Sequence, residues 1–288
     1  MKIAVLTDST AYLSEEQYQD EDLYMIPLSV ILDNESYREE VDITSQEYFE
    51  RIRDLKKLPT TTQPATGEIV TLFETLAKDY DAVISIHLSS KISGTYQNVM
   101  TAATMVEGIE VFPYDSGISC SAQGYFALEA LRLSKAGKKP GEIIAQFEQL
   151  QKTLKAYFVV DDLQHLVRGG RLSNGAAIIG SMLKIKPILH FDDKEIVVFE
   201  KIRSLKKALK RIEALLNEDV AKGYPIVATI IHANVEEDAL KWKKHLEKAF
   251  PKIRFELSYF GPVIGTHLGE GSLGMAWIQD TFPKEDQN

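Results

Sequence analysis

The sequence has little of what several classes of protein require. Among its 288 residues there is one cysteine, Cys120, so no intramolecular disulfide can form and a reducing compartment suits the chain. No apolar run reaches the roughly 18 residues that a transmembrane helix needs, and the apolar stretch at the N-terminus is too short for a signal peptide. We therefore expect a cytoplasmic protein with no integral membrane segment.

Cationic residues are also in the minority. Lysine and arginine total 33 against 42 aspartates and glutamates, which gives a formal net charge of -9. Broad binding to nucleic acid or to anionic membranes needs a net basic face. We therefore expect no nucleic-acid partner, although a local basic patch stays open.

Common catalytic motifs are missing as well. The chain has neither a Gly-x-x-x-x-Gly-Lys-Ser/Thr phosphate loop nor a Gly-x-Ser-x-Gly elbow. It has no cluster of cysteines and histidines and no His-Glu-x-x-His pair, so no metal site is predicted. The adjacent acids Asp161-Asp162 and Asp192-Asp193 fit caps or turns better than an acid–base pair. We expect a non-enzymatic protein with no cofactor and no catalytic residues.

Strand and helix patterns alternate regularly in the first half of the chain. Such alternation predicts a parallel sheet with helices on both faces and ligands beyond the carboxyl ends of its strands. Thr44, with Glu47 three residues later, predicts a capping box at a helix start. The predicted strands are Ile3 to Leu6, Tyr24 to Leu32, Ala82 to Leu88 and Ile109 to Phe112, and helices are predicted to start at Thr44, Thr66, Ser93, Ser121 and Pro140.

The second half reads as another α/β unit. We place the domain boundary near residue 155, which gives an N-terminal α/β domain over 1–155 and a C-terminal α/β domain over 156–288. Asp192-Asp193 predicts a hairpin turn between two strands. The other predicted elements are strands over Ala156 to Val160, Ile226 to His232, Ile253 to Phe260 and Leu273 to Ile278, and helices over Gly175 to Leu183, Ser204 to Lys222 and Val235 to Phe250.

Four segments concentrate small, hydroxyl and glycine residues or paired arginines. Ser93-Gly94-Thr95 opens a helix after a buried strand, where free N–H groups favour an anion, and a plain helix cap is the alternative. The segment Thr60 to Gln63 lies between two prolines, which predicts a stiff loop presenting hydroxyls or else a solvated linker. Arg168 to Arg171 suits carboxylate or phosphate recognition, or is a solvated surface turn. Gly265 to Gly271 predicts a loop that lets backbone approach a ligand, or simply a tight turn.

Together these segments resemble the DegV family along essentially the whole chain. Asp8-Ser9-Thr10-Ala11 is similar to that family's opening signature, and Thr61-Thr62-Gln63-Pro64 is similar to its Thr-Ser-Gln-Pro loop, with Thr62 in place of serine. Ser93-Gly94-Thr95-Tyr96 matches its Ser-Gly-Thr-Tyr motif, and Arg168-Gly169-Gly170-Arg171 and Gly265-Thr266-His267 complete the set. Each motif alone is weak, but five in this order are specific.

The resemblance implies a fold and a ligand. The fold has two α/β domains, an N-terminal three-layer parallel sheet and a C-terminal two-layer mixed sheet, with a long-chain, palmitate-like fatty acid between them. The residues implied to contact or surround the fatty acid carboxylate are Thr61, Thr62, Ser93, Gly94, Arg171 and His267.

The resemblance also implies a partner. Some members of the family are the lipid-presenting subunit of a bacterial fatty acid kinase, whose catalytic subunit converts the bound carboxylate to an acyl phosphate for phospholipid synthesis. Lys201 and Arg203 are the candidates for docking that subunit.

Two other functions stay open. A stand-alone lipid buffer or sensor would bind fatty acid without a kinase. An acyl-transfer enzyme would use Ser93 with His267 beside it, and would require a base within hydrogen-bond reach of the nucleophile. The apolar segments Ile118 to Ala130 and Ala176 to Leu183 are candidates for lining the acyl tail, with ordinary core as the alternative.

Overall fold

The first sheet is parallel and largely buried. A computed structural model describes residues 1–53, 55, 57–173 and 185–282. The sheet contains β1 (Ile3–Asp8), β2 (Leu23–Ile26), β6 (Ala82–His87) and β7 (Glu110–Asp115), in the spatial order β2-β1-β6-β7. Every residue of β1 and β6 is buried, as expected for central strands covered on both faces.

Helices cover both faces of this sheet. α2 (Thr66–Leu76) and α3 (Thr95–Ala103) pack on the face that carries Ala4 and Leu6. α4 (Cys120–Lys135) and α5 (Pro140–Gln151) pack on the opposite face, which carries Val5. This is the three-layer arrangement that the sequence predicts.

A small antiparallel sheet of three strands was not predicted. β3 (Ser29–Leu32) lies at its centre, between β4 (Glu35–Arg38) and β5 (Thr60–Thr62). The prediction of one strand from Tyr24 to Leu32 is therefore wrong, because the chain leaves the first sheet at Pro27, which has no N–H for a ladder.

The helix predicted to start at Thr44 is confirmed. α1 (Ser45–Ile52) begins directly after Thr44, whose side chain accepts from the Glu47 N–H while the Glu47 side chain accepts from the Thr44 N–H. This is the capping box that the spacing of the two residues predicts.

The second sheet is mixed and has helices on one face. The elements of this half are β8 (Lys155–Val159), α6 (Gln164–Arg168), β9 (Ile188–Asp192), β10 (Glu195–Glu200), α7 (Leu205–Val220), β11 (Ile226–His232), α8 (Glu236–Ala249), β12 (Arg254–Tyr259), α9 (Pro262–Leu268) and β13 (Leu273–Gln279). The strand order is β10-β9-β8-β13-β11-β12, and α7 and α8 pack on one face through Ile212, Leu216 and Trp242. The other face turns toward the first sheet. The predicted two-layer mixed sheet is confirmed.

The predicted hairpin is present, but its turn lies one residue further along the chain. Asp192 pairs with Glu195, and the two residues between them, Asp193 and Lys194, have φ values of 43° and 70°. Two successive positive φ values characterise a type I′ turn, whose twist matches that of the flanking strands.

The predicted glycine-rich loop is mostly helical. Gly265, Thr266 and His267 belong to α9, so the loop prediction is wrong for them. Gly265 is required by packing, because a Cβ there would lie 2.8 Å from Cζ of Phe49. Gly269 has a φ of 79° and forms the turn that follows the helix.

One predicted helix and the predicted domain boundary stay predictions. The helix predicted over Gly175 to Leu183 lies outside the described residues. The chain passes from the first large sheet to the second between β7 and β8, and a domain boundary near residue 155 stays a prediction.

Candidate functional site

An apolar cavity lies where the three-stranded sheet, the end of β6, α9 and the second large sheet meet. The volume open to water-sized spheres is about 60 Å³, which is room for a few waters at roughly 10–15 Å³ each. Its apolar wall includes Leu28, Leu88, Ile92, Ile118, Phe158, Leu166, Phe191, Ile196, Ile231, Phe260, Val263, Ile264, Leu268, Met275 and Ala276. Polar side chains line it as well, contributed by Thr61, Thr62, Gln63, Ser93, Arg171 and His267.

Thr61 and His267 meet in the wall of this cavity. Oγ1 of Thr61, on the edge strand β5, lies 2.9 Å from Nε2 of His267, near the end of α9. The two residues are 206 positions apart in the chain. Burial, together with the nearby Arg171 and His165, lowers the pKa of His267 to about 4, so its imidazole is neutral near pH 7.

The tautomer of His267 follows from its other nitrogen. Nδ1 is buried and has no hydrogen-bond partner among the described residues. A buried N–H without an acceptor is rarer and costlier than a bare acceptor, so we assign the proton to Nε2. His267 then donates to Thr61 Oγ1, and the Thr61 hydroxyl keeps its own proton for an acceptor in the cavity.

Ser93 is arranged in a similar way. α3 begins at Thr95 and not at the predicted Ser93, with Gly94 as the N-cap residue. Ser93 Oγ lies 2.9 Å from Thr95 Oγ1 and accepts from the Thr95 N–H at 3.3 Å. Thr95 is fully buried, and its hydroxyl has no other acceptor within the described ranges. Donation from Thr95 to Ser93 therefore satisfies it and leaves the Ser93 proton available to a ligand.

Arg171 adds positive charge without forming an ion pair in the part of the chain described. Its Nε donates to the Ile92 carbonyl at 3.1 Å, and its Nη1 donates to the Gly169 carbonyl. These bonds tie the turn after α6 to the residue before Ser93. Burial lowers the pKa of Arg171 from a very high starting value, so the guanidinium remains charged.

The two hydroxyl segments lie side by side. A Cβ at Gly94 would lie 2.7 Å from Nε2 of Gln63, and Asn98 Nδ2 donates to the Pro64 carbonyl at 2.9 Å. Glycine at position 94 thus lets the segment around Thr62 approach the start of α3. Thr62 lines the cavity, whereas Gly94 does not.

The two predicted docking residues lie elsewhere. Lys201 and Arg203 are exposed, between β10 and α7, and do not line the cavity. Among the described residues neither forms an ion pair within 4.0 Å.

The residues predicted to line the acyl tail near Ile118 are divided between two cavities. Ile118 and Cys120 line the cavity. Ala122, Tyr125 and Leu128 instead line a separate cleft of about 510 Å³ between α4 and the second large sheet. The segment Ala176 to Leu183 lies outside the described residues.

Asp8 belongs to a polar cluster at the end of β1 that is buried. Its carboxylate accepts from the Thr10 hydroxyl at 2.6 Å and the Leu88 N–H at 3.0 Å, and lies 3.0 Å from His87 Nδ1. Burial opposes ionisation, but hydrogen bonds from His87 and Thr10 outweigh it, and the pKa of Asp8 is lowered. The opening motif Asp8-Ser9-Thr10 thus holds strand ends together and does not line the cavity.

Glu39 is a second buried carboxylate, and no motif marks it. It accepts from Ser9 Oγ at 2.6 Å, the Tyr12 hydroxyl at 3.0 Å and the Val263 N–H at 2.7 Å. Burial outweighs these donors and raises the pKa of Glu39 to about 8.

The geometry does not favour acyl transfer. Ser85 Oγ lies 2.6 Å from His87 Nε2, and His87 Nδ1 lies 3.0 Å from Asp8 Oδ2, which resembles a catalytic triad. All three side chains are 0% exposed, so no substrate reaches them. Ser93 has no histidine or carboxylate hydrogen-bonded to it in the described part of the chain.

Two kinds of feature are absent from the described residues. No helix there is long and apolar enough to cross a membrane. No group of three or more histidine, cysteine, aspartate or glutamate side chains is arranged to hold a metal ion.

Comparisons with known proteins agree along the whole chain. A family model described as "Uncharacterised protein, DegV family" matches residues 2–280. Protein DegV of Bacillus subtilis (strain 168) is 55% identical over 278 residues, 96% of this chain and 99% of that one. The crystal structure of DegV from Bacillus subtilis, described as a fatty acid binding protein, superposes with a TM-score of 0.92 at 54% identity, covering 97% of this chain and 100% of that one. A fatty acid binding DegV family protein from Streptococcus agalactiae gives a TM-score of 0.91 at 36% identity, with coverage of 97% and 99%.

Proposed function

Because the chain belongs to the DegV family, we propose that it binds a long-chain fatty acid, with the carboxylate at Thr61 and Ser93 and the acyl chain in the apolar cavity. One observation carries the proposal: the hydroxyls of Thr61 and Ser93 are hydrogen-bonded to His267 and Thr95, and both residues line a largely apolar cavity. The relatives from Bacillus subtilis and Streptococcus agalactiae are described as fatty acid binding proteins, which supports it.

The head group is matched by donors of the right kind. A carboxylate only accepts hydrogen bonds, and Thr61 and Ser93 each retain a hydroxyl proton when His267 and Thr95 donate to them. The charged Arg171 makes the local potential positive, but it does not need to form an ion pair with the ligand. An unpaired buried carboxylate would be costly, so these donors decide where the head group lies.

The acyl chain supplies most of the affinity. About 15 methylenes at roughly 0.8 kcal/mol each offer about 12 kcal/mol before the costs of ordering. The lining of the cavity is largely apolar, and the flexible side chain of Met275 in its wall can adjust to the acyl chain.

Substitution of the two hydroxyls tests the proposal. Thr61→Val and Ser93→Ala each remove one hydrogen bond to a charged group, worth about 1.5–3 kcal/mol, so each should raise the Kd for palmitate roughly 10–100-fold. The matched control is Thr60→Val, since Thr60 is an exposed neighbour on the same strand that does not line the cavity.

Purified wild-type protein provides the second readout. Mass spectrometry of its extracted lipid should show a co-purified long-chain acid, at a much lower level in the double variant. Unchanged palmitate affinity in both single variants would contradict the assigned head-group site. A wild-type protein that neither carries nor binds any fatty acid would contradict the proposed function itself.

We also propose that the protein presents the carboxylate to a separate kinase subunit. Hydroxyl donors leave lone pairs on the carboxylate oxygens, which is what attack on a phosphoryl group requires. The exposed cations Lys201 and Arg203, with no ion-pair partner in the described residues, suit docking to an acidic surface. A partner that consumes a nucleotide would place the pair in the cytoplasm, supplying acyl phosphate for phospholipid synthesis.

The kinase role has its own test. Acyl phosphate formation from palmitate and ATP should require both this protein and a fatty acid kinase catalytic subunit. Lys201→Glu with Arg203→Glu should weaken that activity while leaving the palmitate Kd unchanged, because neither residue lines the cavity. Fatty acid binding with no acyl phosphate formed alongside such a subunit would favour a stand-alone lipid buffer or sensor.

A further inference from the structure

The helix α9, which carries His267 and part of the cavity wall, starts without a local cap. Its N-cap residue, Gly261, has no side chain, and Pro262 in the first position has no N–H. The N–H groups of Val263 and Ile264 therefore need acceptors from elsewhere, because both residues are buried and water does not reach them.

Glu39 supplies the missing cap from 224 positions earlier in the chain. Its Oε1 accepts from the Val263 N–H at 2.7 Å. The Tyr12 hydroxyl lies 3.0 Å from the same oxygen and accepts from the Ile264 N–H at 3.4 Å. Both donors of the first turn thus end on Glu39, one directly and one through Tyr12.

Glu39 is itself held firmly. Ser9 Oγ donates to its Oε2 at 2.6 Å, and its own N–H donates to the Leu28 carbonyl at 2.9 Å. The approach of α9 is close, since a Cβ at Gly261 would lie 2.3 Å from the Tyr12 ring and 3.0 Å from Glu39 Oε1. The start of α9 is therefore held in place by hydrogen bonds to Glu39, which is itself fully buried.

The hydrogen bonds to Glu39 hold the same helix, α9, that forms part of the cavity wall. Val263 and His267 are four residues apart, so they lie on one side of α9, and both line the cavity. A displacement of the first turn is carried along a rigid helix to His267 Nε2, whose hydrogen bond to Thr61 is 2.9 Å long.

From this geometry we infer that Glu39 is the positioning residue of the site, setting α9 so that His267 meets Thr61. The inference deepens the proposed fatty acid function, on which its binding readout rests. Removal of a residue that only stabilised the fold would lower the free energy of unfolding without moving the His267 ring.

Two Glu39 variants and one matched control separate these roles. Glu39→Gln keeps an acceptor for Val263, whereas Glu39→Ala removes it. The control is Asp219→Ala, because Asp219 is also buried and accepts from Trp277 Nε1 at 2.7 Å in the other core, away from the cavity. The readouts are the NMR resonances of the His267 ring in ligand-free protein and the Kd for palmitate.

Glu39→Ala should shift the His267 resonances and raise the Kd about tenfold, equivalent to about 1.4 kcal/mol. Glu39→Gln should keep both close to wild type, and Asp219→Ala should keep both while lowering the unfolding midpoint. If Glu39→Ala does not fold, Glu39→Asp, which withdraws the acceptor by one methylene, takes its place with the same expectations.

Unmoved His267 resonances and an unchanged Kd in the variant that lacks or withdraws the carboxylate would overturn the inference. A failure of wild-type protein to bind fatty acid would count against the proposed function alone, because the NMR comparison needs no ligand.

Discussion

The protonation of His267 should set how the protein responds to acid. The pKa of His267 is lowered from 6.5 to about 4 in the folded protein, chiefly by burial. The unfolded chain therefore takes up a proton on this residue before the folded protein does. The contribution of His267 to the free energy of unfolding is largest above pH 6.5, falls as the pH drops through the interval to about 4, and is constant below that.

The size of the effect follows from the shift. A difference between 6.5 and about 4, at about 1.36 kcal/mol per pH unit, corresponds to on the order of 3 kcal/mol. His267→Gln removes the titrating group while its side-chain amide retains a donor for Thr61 Oγ1. The wild type should therefore lose on the order of 3 kcal/mol more than the variant when the pH is lowered across this interval.

Urea unfolding at several pH values measures the difference directly. All other titrating groups are common to the two proteins, so they cancel when the variant is subtracted from the wild type, provided that the m values agree. Parallel pH profiles for the two proteins would refute the assignment of a buried, neutral His267. An NMR titration of the imidazole in the wild type provides an independent check.

Two further substitutions test the buried contacts around α9. The pKa of Glu39 is raised from 4.5 to about 8, so its contribution to stability falls as the pH rises between those values. In urea unfolding, the wild type should therefore lose about 1.4 kcal/mol per pH unit relative to Glu39→Gln. The same dependence of unfolding free energy on pH in both proteins would contradict this. Gly265→Ala should destabilise the protein by about 1–3 kcal/mol in thermal or urea unfolding, because the added Cβ would lie 2.8 Å from Phe49. Gly67→Ala, on α2 with nothing within 4 Å of the added atom, is the control and should stabilise the protein slightly, so equal destabilisation by both would count against a steric effect.

The elements that the sequence predicts well are those whose signals are local. β1 and β6 are mostly apolar runs bounded by polar segments, and the capping box before α1 needs only Thr44 and Glu47. β5 escaped prediction because its three threonines have no apolar pattern and become a strand only by pairing with β3. α9 escaped prediction because Gly265 is a poor helix former, and the helix depends on a cap and on packing from distant parts of the chain.

The same distinction holds for the site. Thr61 and Ser93 stand in recognisable hydroxyl segments, and the family resemblance marked them as candidate carboxylate contacts. Their supporting contacts could not be read in the same way, because the bond from Thr61 to His267 spans 206 residues and that from Glu39 to Val263 spans 224. Polar pairs so far apart leave no periodic signal, and a single sequence contains no information on which of its many acids is buried.

These long-range contacts explain how neutral side chains would bind a carboxylate in the proposed site. The guanidinium of Arg171 is engaged with the carbonyls of Ile92 and Gly169, and His267 is neutral near pH 7. In the proposed site, Thr61 and Ser93 therefore act as donors only when another group donates to each of them, and that group must be held in place. For Thr61 this requirement extends through His267 and α9 to Glu39, so we expect the donor direction in the proposed head-group site to depend on a carboxyl group that does not line the cavity.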